Sequence, residues 1–409
     1  MNPLNIIIVN DFAHITGGAD YVALTSAIEL SKKGHNVVLF SSVNPQMKEL
    51  NDSGVKVVST EQYDILEDPK RVRSITQGLW NFKAAKCMKL LLNSLNPANT
   101  VIHVHSWTKA LSSSFMRVII SKKFKVVVTL HDYFTACPNG GFYNYNTNEI
   151  CLLKPLSKEC MRSNCDSRSY SHKIWRVLRQ EIQVNLGLIP KEIINFIYVT
   201  EFSKSILEPH LPMNSEYYFL SNPANIQKNE KVLVENNNKY ITIGRISREK
   251  GMNIFAKAAK KINCEAVFVG DGEMTNEILK IYPDASITGW VNKDIVIENL
   301  RFARAVVLPS LLYETLGMSV LEAAALGIPS IVSDTSAASE LIVDGVTGLL
   351  FKRNNFDDLA EKIMMLQNKE IAKKMGEAAY EKFWSEKNDV NSYINILEKI
   401  YVEILNSKS

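Results

Sequence analysis

Two glutamates, Glu314 and Glu322, stand with seven residues between them in the apolar segment YETLGMSVLEAAALGIPSIVSD (313–334). The composition predicts a helix that starts at Gly317 and stops at a Gly-Ile-Pro signal. The start of such a helix offers unpaired N–H groups to an anion, and the carboxylates on either side can accept hydrogen bonds from hydroxyls. This order of groups fits a sugar nucleotide. The alternative is a pair of solvated surface glutamates, although an unpaired carboxylate in so apolar a helix would be costly.

Two cations follow another predicted strand in the segment GRISREKG (244–251), where Arg245 closes the strand and Lys250 precedes a glycine and a helix. Helix starts usually favour acidic residues, so two basic residues at this position are unusual. Arg offers a planar fork and Lys a point charge, and the two together suit a diphosphate. Ordinary surface charges are the alternative.

A glycine pair, Gly17 and Gly18 in ITGGADYVA, lies between a predicted strand and a predicted helix. Such a pair permits close approach of an anion to the backbone, but a plain turn explains it equally well. The pattern is not G-x-G-x-x-G and no acidic residue ends the second strand, which disfavours a nicotinamide site.

Three histidines follow or end predicted strands: His103 and His105 in VIHVHSW, and His131 in TLHDY. A histidine at such a position is more often a hydrogen-bonded structural residue than a catalytic one. His131, which is followed by Asp132, is the better candidate for chemistry. No nucleophile motif accompanies these residues.

The elements that must position these residues alternate between β-branched runs and helical segments, so we predict parallel sheets with the chemistry at the carboxyl ends of the strands. A chain of 409 residues is long enough for two domains. We predict an acceptor-binding domain over 1–220, a polar linker over 221–238 and a nucleotide-sugar domain over 239–385. An amphipathic helix over 386–409 is expected to pack back on the first domain, and 133–170 is an insert in that domain.

Composition excludes several classes of protein. The net charge of +4 is spread along the chain without a basic run, which argues against a nucleic-acid partner. We expect a cytoplasmic protein because the first residues do not resemble a signal peptide and no segment is apolar enough to span a bilayer.

With these motifs together, the chain resembles the retaining GT-B glycosyltransferases of family 4, which build bacterial capsule, O-antigen and exopolysaccharide chains. The anchors are TGGAD, GRISREKG, VGDGE, TGWV and above all E-x7-E with LEAAALGIPSIVSD. The resemblance implies two Rossmann-like domains facing a central cleft, with a C-terminal helix that crosses back to the first domain.

The resemblance also implies roles for individual residues. Arg245 and Lys250 would hold the donor diphosphate, Glu322 the ribose hydroxyls and Glu314 the donor sugar, while His131 would lie near the sugar's hydroxymethyl group. The remaining implied donor-binding residues are Gly17 and Gly18 beside the phosphates, Thr315, Leu316, Gly317, Met318 and Ser319 around phosphate and sugar, and Gly289, Trp290 and Val291 near the base.

The implied donor is a UDP- or GDP-sugar, the implied acceptor is a lipid-linked or other glycan, and no cofactor is required. Because no D-x-D triplet occurs in the sequence, the protein's own cations are expected to replace a metal ion at the diphosphate. The reaction is expected to retain the anomeric configuration, with the departing phosphate accepting the acceptor's proton.

The insert contains four cysteines, Cys137, Cys151, Cys160 and Cys165. They could bind zinc, but no C-x2-C pair is present and reduced packing cysteines are the alternative. The insert is expected to shape the acceptor site.

Residues 69–95 mix basic and large apolar side chains and are predicted to form one helix. This helix could lie on the anionic inner membrane and meet a lipid-linked acceptor, but packing against the sheet explains its apolar residues equally well.

Two other functions fit a two-domain α/β architecture: a nucleotide-sugar isomerase and a non-catalytic nucleotide-sugar-binding protein. The Arg/Lys pair with E-x7-E argues against the first. A non-catalytic protein would be expected to lose some of these charged residues, and all four are present: Arg245, Lys250, Glu314 and Glu322.

Overall fold

A computed structural model describes residues 3–224, 226–228, 231–386 and 388–407 of the chain. Three positions of the predicted linker 221–238, namely 225, 229 and 230, lie outside the described residues. The strands are β1 (Asn5–Val9), β2 (Asn36–Ser41), β3 (Lys56–Ser59), β4 (Thr100–Val104), β5 (Lys125–Thr129), β6 (Tyr143–Asn144), β7 (Glu149–Ile150), β8 (Asn195–Tyr198), β9 (Glu216–Phe219), β10 (Lys239–Ile243), β11 (Ala266–Val269), β12 (Ser286–Ile287), β13 (Ala303–Leu308), β14 (Ser330–Ser333) and β15 (Gly348–Phe351).

The α-helices alternate with these strands over most of the chain. They are α1 (Gly18–Lys32), α2 (Lys48–Asp52), α3 (Arg71–Leu79), α4 (Phe82–Leu92), α5 (Ser114–Ser121), α6 (Lys158–Arg162), α7 (Tyr170–Asn185), α8 (Glu201–Leu207), α9 (Met252–Ile262), α10 (Thr275–Ile281), α11 (Lys293–Leu300), α12 (Met318–Ala325), α13 (Phe356–Gln367), α14 (Lys369–Ser385) and α15 (Val390–Asn406).

The chain forms two compact units. The first contains the residues up to Gly141, Leu152–Ser221 and the chain from Asn391 onward. The second contains Phe142–Cys151 and Asn222–Val390. A ten-residue piece of the insert therefore belongs to the second unit, although its neighbours on both sides belong to the first.

The first unit is built on a seven-stranded parallel sheet with the order β3-β2-β1-β4-β5-β8-β9. Its central strands β1, β4, β5 and β8 are mostly buried on both faces, as parallel strands covered by helices must be, whereas the edge strands β3 and β9 are more exposed. The strand order reverses between β1 and β4, and in such sheets the carboxyl ends of the strands at this switch point form the usual binding site.

The second unit repeats the plan with a six-stranded parallel sheet in the order β12-β11-β10-β13-β14-β15. Its switch point lies between β10 and β13. These two sheets confirm the predicted α/β fold class with two Rossmann-like units.

Residues 69–95 form two helices, α3 and α4, rather than the single helix that we predicted. Trp80 is extended, and the side chain of Asn81 accepts a hydrogen bond from the N–H of Ala84. Asparagine at this position starts a new helix, because its side chain satisfies an otherwise free N–H group.

The last helix, α15, packs within the first unit. The hydroxyl of Tyr393 lies 3.2 Å from Ser26 Oγ, and the hydroxyl of Tyr401 lies 2.6 Å from His103 Nδ1. Glu398 forms an ion pair with Lys33 and lies 2.9 Å from His35 Nε2. Polar groups that are buried under the helix are thus paired across sequence separations of more than 290 residues.

Candidate functional site

The site in the second unit begins where β10 ends. Arg245 Nη2 lies 2.6 Å from Glu249 Oε1, and 66% of the Arg245 side chain is exposed, so the guanidinium keeps free surface for a ligand. A short 3-10 turn over Arg248–Lys250 leads to Gly251, which has φ +69°. A Cβ at Gly251 would lie 1.9 Å from the carbonyl oxygen of Pro309, so glycine is required there to let the two loops approach.

Lys250 reaches the loop after β13, where its Nζ lies 2.7 Å from Glu314 Oε1. Burial favours protonation of Glu314, but Lys250 together with Ser310 and Arg245 outweighs it and lowers the pKa of this carboxyl. The site therefore holds Glu314 ionised next to two cations. The structure brings together three residues that the sequence analysis selected from segments 64 residues apart.

Helix α12 starts next to this pair. Gly317 has φ +91°, and a Cβ there would lie 2.7 Å from Ala338 Cβ, which explains the glycine. The N–H groups of Met318 and Ser319 precede the first hydrogen bond of α12, which the N–H of Val320 donates to the carbonyl oxygen of Gly317. They form a terminus that can bind an anion. Thr315 and Leu316 complete the loop that leads into the helix.

Glu322 lies inside α12 with a nearly buried side chain, and its Oε1 is 2.8 Å from Lys293 Nζ. The sequence analysis did not identify Lys293. It is the first residue of α11, directly after Asn292, whose side chain accepts a hydrogen bond from the N–H of Ile295 and caps the helix. The helix cap was readable from the sequence, but the pairing with Glu322 was not.

The turn of the TGWV motif follows β12. Gly289 has φ +73° and forms an antiparallel bridge with Gly270 at the end of β11. Trp290 is 78% exposed, which leaves its ring free to stack on a ligand. Val291 follows it and is partly buried.

Arg353 is a further residue that the sequence analysis missed. Its Nε donates to the carbonyl oxygen of Leu311 at 3.2 Å, so it supports the loop that carries Glu314. Its other nitrogens contact the hairpin β6–β7, with Nη2 3.2 Å from the Asn148 carbonyl oxygen and Nη1 3.2 Å from a Glu149 carboxylate oxygen. The insert thus braces the loop through one guanidinium.

In the first unit, the predicted residues lie at the carboxyl edge of the sheet. Gly17 is extended and Gly18 begins α1, so neither glycine is needed here for an unusual backbone angle. His131 follows β5, and its Nε2 lies 2.9 Å from Nδ1 of His105. The rings of His105 and His131 stack with centroids 5.1 Å apart, and the ring of His103 lies tilted against that of His105 with centroids 4.0 Å apart.

His103 and Asp11 are buried and His131 and Asp132 are partly buried, and removal from water shifts the pKa of each group in favour of its neutral form. Burial lowers the pKa of His131 to about 3 and that of His103 to about 3. Burial raises the pKa of Asp132 to about 6 despite a hydrogen bond from the N–H of Phe134. It also raises that of Asp11 to about 6, although three backbone N–H groups donate to its carboxylate.

The four cysteines of the insert are the candidate zinc ligands of the sequence analysis. Among the described residues, no group of three or more His, Cys, Asp or Glu side chains is placed to hold a metal ion. The ammonium of Lys173, in a fully buried side chain, instead lies 3.6 Å from Cys160 Sγ. Burial disfavours the charge of Lys173, but the thiols of Cys165 and Cys160 raise its pKa.

Comparison with known families gives a direct result for both units. Residues 224–382 match the family described as glycosyl transferases group 1, and residues 15–154 match the family described as glycosyl transferase 4-like. The two matched segments do not overlap, and each covers less than half of the chain.

Three relatives show how far this similarity extends. The N-acetyl-alpha-D-glucosaminyl L-malate synthase of Bacillus anthracis is 23% identical over 95% of this chain and 94% of its own. The alpha-D-kanosaminyltransferase of Streptomyces kanamyceticus is 28% identical over 34% of this chain and 38% of its own. The UDP-Gal:alpha-D-GlcNAc-diphosphoundecaprenol alpha-1,3-galactosyltransferase of Escherichia coli is 25% identical over 44% of this chain and 49% of its own. The match thus spans less than half of two of these three.

Solved structures share the fold over nearly the whole chain. A glycosyltransferase from Rickettsia africae ESF-5 has a TM-score of 0.69 at 18% identity, covering all of both chains. The Anabaena Alr3699/HepE protein in complex with UDP and glucose has a TM-score of 0.69 at 14% identity, covering 98% of this chain and all of its own. The glycosyltransferase fold of these neighbours agrees with the predicted GT-B class.

Proposed function

We propose that this glycosyltransferase moves a sugar from a nucleoside diphosphate donor to a glycan acceptor with retention of the anomeric configuration. The observation that carries the proposal is the Lys250–Glu314 pair, which lies at the switch point of the second sheet beside the start of α12. UDP bound to the Anabaena neighbour supports a nucleotide donor.

The chemistry follows from where negative charge develops. When the anomeric C–O bond breaks, its electron pair stays with the diphosphate and the sugar takes on oxocarbenium character. Arg245, Lys250 and the N–H groups at the start of α12 supply positive charge to that diphosphate. Cations and helix-start dipoles that are already in place stabilise a transition state without reorganisation.

Retention requires attack on the face that the leaving group departs from. We propose that the acceptor oxygen attacks there and that the departing phosphate takes its proton, since no side chain of the second-unit site is a free nucleophile. We assign His131 a hydrogen-bonding role toward the transferred sugar, because an imidazole with a pKa of about 3 is neutral at working pH.

The remaining donor contacts follow the same logic. We assign Glu322 to the ribose hydroxyls, with Lys293 holding the carboxylate in place, and the exposed ring of Trp290 to the base. The diphosphate is bound without a metal ion, a proposal supported by the missing D-x-D triplet and by the two cations.

The test is incubation with a panel of UDP- and GDP-sugars and a lipid-diphosphate glycan, with nucleotide release and product structure as readouts. We expect nucleotide release only with acceptor present, an unchanged rate in excess EDTA, and an α-linked product by NMR from an α-D donor. An inverted anomeric centre would refute retention. An isomerised nucleotide sugar would favour the isomerase, and binding without turnover would favour a non-catalytic protein.

An exposed surface on α3 and α4 supports a lipid-linked acceptor and peripheral contact with the cytoplasmic face of the membrane. Val72 is 77% exposed, Phe82 78% and Leu90 61%. Lys83 and Lys86 are exposed on the outward side of α4 with Phe82. Apolar side chains among lysines fit the interface of an anionic bilayer. No helix among the described residues is long and apolar enough to cross a membrane.

Liposome sedimentation tests this surface. We expect binding to vesicles containing anionic lipid at low salt, weaker binding at high salt, and loss of binding in Phe82→Asp. Met213→Asp, a change at an even more exposed apolar residue of the same unit, is the control and should bind normally. Failure to bind anionic vesicles at low salt would refute the proposed membrane contact through α3 and α4.

A further inference from the structure

A cavity of about 430 Å³ lies in the first unit, away from the motifs that the proposed function uses. It is bounded by the insert, by α7 and by the segment between α8 and β9. A volume of this size is typical of a small-molecule site. Four prolines line it, Pro155, Pro190, Pro209 and Pro212, and because their backbones are restricted they favour a preformed shape.

The charged groups of the cavity are all basic. Lys154, Lys191 and His210 line it, and no aspartate or glutamate does. In the part of the chain that the structure describes, neither Lys154 nor Lys191 has an ion-pair partner. Lysines 250 and 293 of the second unit, by contrast, are each bonded to a glutamate.

His210 shows that this positive charge is felt inside the cavity. Burial lowers the pKa of its imidazole, and the ammonium of Lys154 lowers it further. Two unpaired ammonium groups beside a neutral imidazole repel cations and attract anions. An oxyanion between them would relieve the repulsion and accept their hydrogen bonds.

One wall of the cavity is formed by the chain that follows the predicted acceptor-side residue His131. Thr135 and Ala136, which follow His131 by four and five residues, form part of its wall. The buried amide of Gln180 donates to the carbonyl oxygen of Thr135 at 3.3 Å and fixes this wall. Within the described residues, Gln180 Oε1 has no hydrogen-bond partner, so it can accept a bond from a ligand hydroxyl.

We propose that this cavity binds an oxyanion carried by the acceptor, a phosphate or a carboxylate, and contacts the rest of that molecule through its apolar walls. The acceptor part of this inference rests on the proposed function. The anion could come from a lipid-linked diphosphate or from an acidic sugar, and the two sources are separated by the ligands tested.

Binding is measured on the whole chain, saturated with UDP, from the NMR signals of the His210 ring, assigned with His210→Gln. The ligands are pyrophosphate, inorganic phosphate and glucuronate, with glucose as the uncharged control. We expect the anions, not glucose, to shift the signals and to raise the pKa of His210. Preference for pyrophosphate indicates a diphosphate, and preference for glucuronate indicates an acidic sugar.

We expect Lys154→Ala and Lys191→Ala each to weaken this binding at least fivefold. Lys48→Ala, at an exposed lysine of the same unit that does not line the cavity, should leave it unchanged. Absence of anion-dependent shifts, or equal shifts in the two variants and the wild type, would overturn the proposal.

Activity then separates the two proposals. With an anionic acceptor, Lys154→Ala should raise the acceptor KM at least fivefold and leave kcat unchanged. Anion binding without transfer to any acceptor would refute the proposed function and leave the anion site standing. Transfer to an anionic acceptor with an unaltered KM in both lysine variants would refute the link between the cavity and the acceptor.

Discussion

In the second unit, each glutamate of the E-x7-E motif is bonded to a lysine, and Glu314 is held ionised. In the first unit, the carboxyl of Asp132 and the imidazole of His131 are partly buried, and desolvation shifts both pKa values in favour of the neutral forms. One unit presents charges in fixed pairs, and the other presents neutral imidazoles beside a carboxyl whose ionisation is disfavoured. The difference matches a unit that binds a diphosphate and a unit that contacts a sugar or its acceptor.

The sharpest test of this comparison is Lys250→Ala. It removes a cation from the leaving group and leaves Glu314 without its bonded ammonium group. We expect the transfer rate to fall by about 100-fold or more, which is the effect of losing one transition-state donor. Lys260→Ala, at an exposed lysine of α9, is the control. A Lys250→Ala rate within threefold of the wild type would mean that the pair is structural.

The second test addresses the buried groups of the first unit through pH. The pKa of Asp132 is about 6 in the folded state against 3.8 in the unfolded state, so the folded state binds more protons between these values and the free energy of unfolding falls as pH rises. Asp132→Asn removes this loss, worth up to roughly 3 kcal/mol above pH 6. Urea unfolding from pH 4 to 7 measures it, with the exposed Asp52→Asn as control.

The histidines act in the opposite direction. His103 and His131 have folded pKa values of about 3, below the ordinary value of 6.5, so the unfolded state binds more protons and stability falls as pH drops below 6.5. Asp132→Asn should therefore make the acid loss of stability steeper between pH 4 and 6. An unchanged pH profile would show that Asp132 is not buried in its neutral form.

The third test separates the two glutamates. We expect Glu322→Ala to weaken nucleotide binding about tenfold with a small effect on turnover, and Glu314→Ala mainly to slow transfer or relax the choice of sugar. Lys293→Ala should resemble Glu322→Ala, because it releases the same carboxylate. Calorimetry with UDP and GDP, beside steady-state rates, measures both. Equal small effects at both glutamates would show that neither carboxylate contacts the donor.

The smallest expected effect is at Arg353. Arg353→Gln should lower kcat about threefold to tenfold, because the loop that carries Glu314 loses its brace to Leu311 and to the hairpin. Arg353→Lys keeps the charge but not the planar guanidinium, so its kcat should lie between those of the wild type and Arg353→Gln. No change in Arg353→Gln would show that the loop needs no support from the insert.

Local patterns in the sequence were sufficient for much of this architecture. The parallel strands were visible as β-branched runs, and the loop and helix around Glu314 were visible from Gly317 and the Gly-Ile-Pro stop. These features depend on neighbours in the chain, which composition and spacing report directly.

Partners from distant segments were not predictable in the same way. Lys293 meets Glu322 across 29 residues and Arg353 meets Glu149 across 204, and neither spacing follows any helical or strand period. The break in residues 69–95 was missed because the cap at Asn81 was not weighed against the continuous amphipathic pattern. Burial of the histidine cluster depends on α15, whose Tyr401 contacts His103 across 298 residues.

Helix α15 determines the order in which the two units can finish folding during synthesis. The first unit starts with β1 but is complete only when Tyr393 and Tyr401, synthesised almost 400 residues later, reach Ser26 and His103. The second unit leaves the ribosome, and can close, before this helix has emerged. Until then, the apolar face on which α15 will lie is uncovered. The half of the molecule that leaves the ribosome first is thus the last to finish folding, and a nascent chain stalled near residue 390 should need chaperone protection at its N-terminal half.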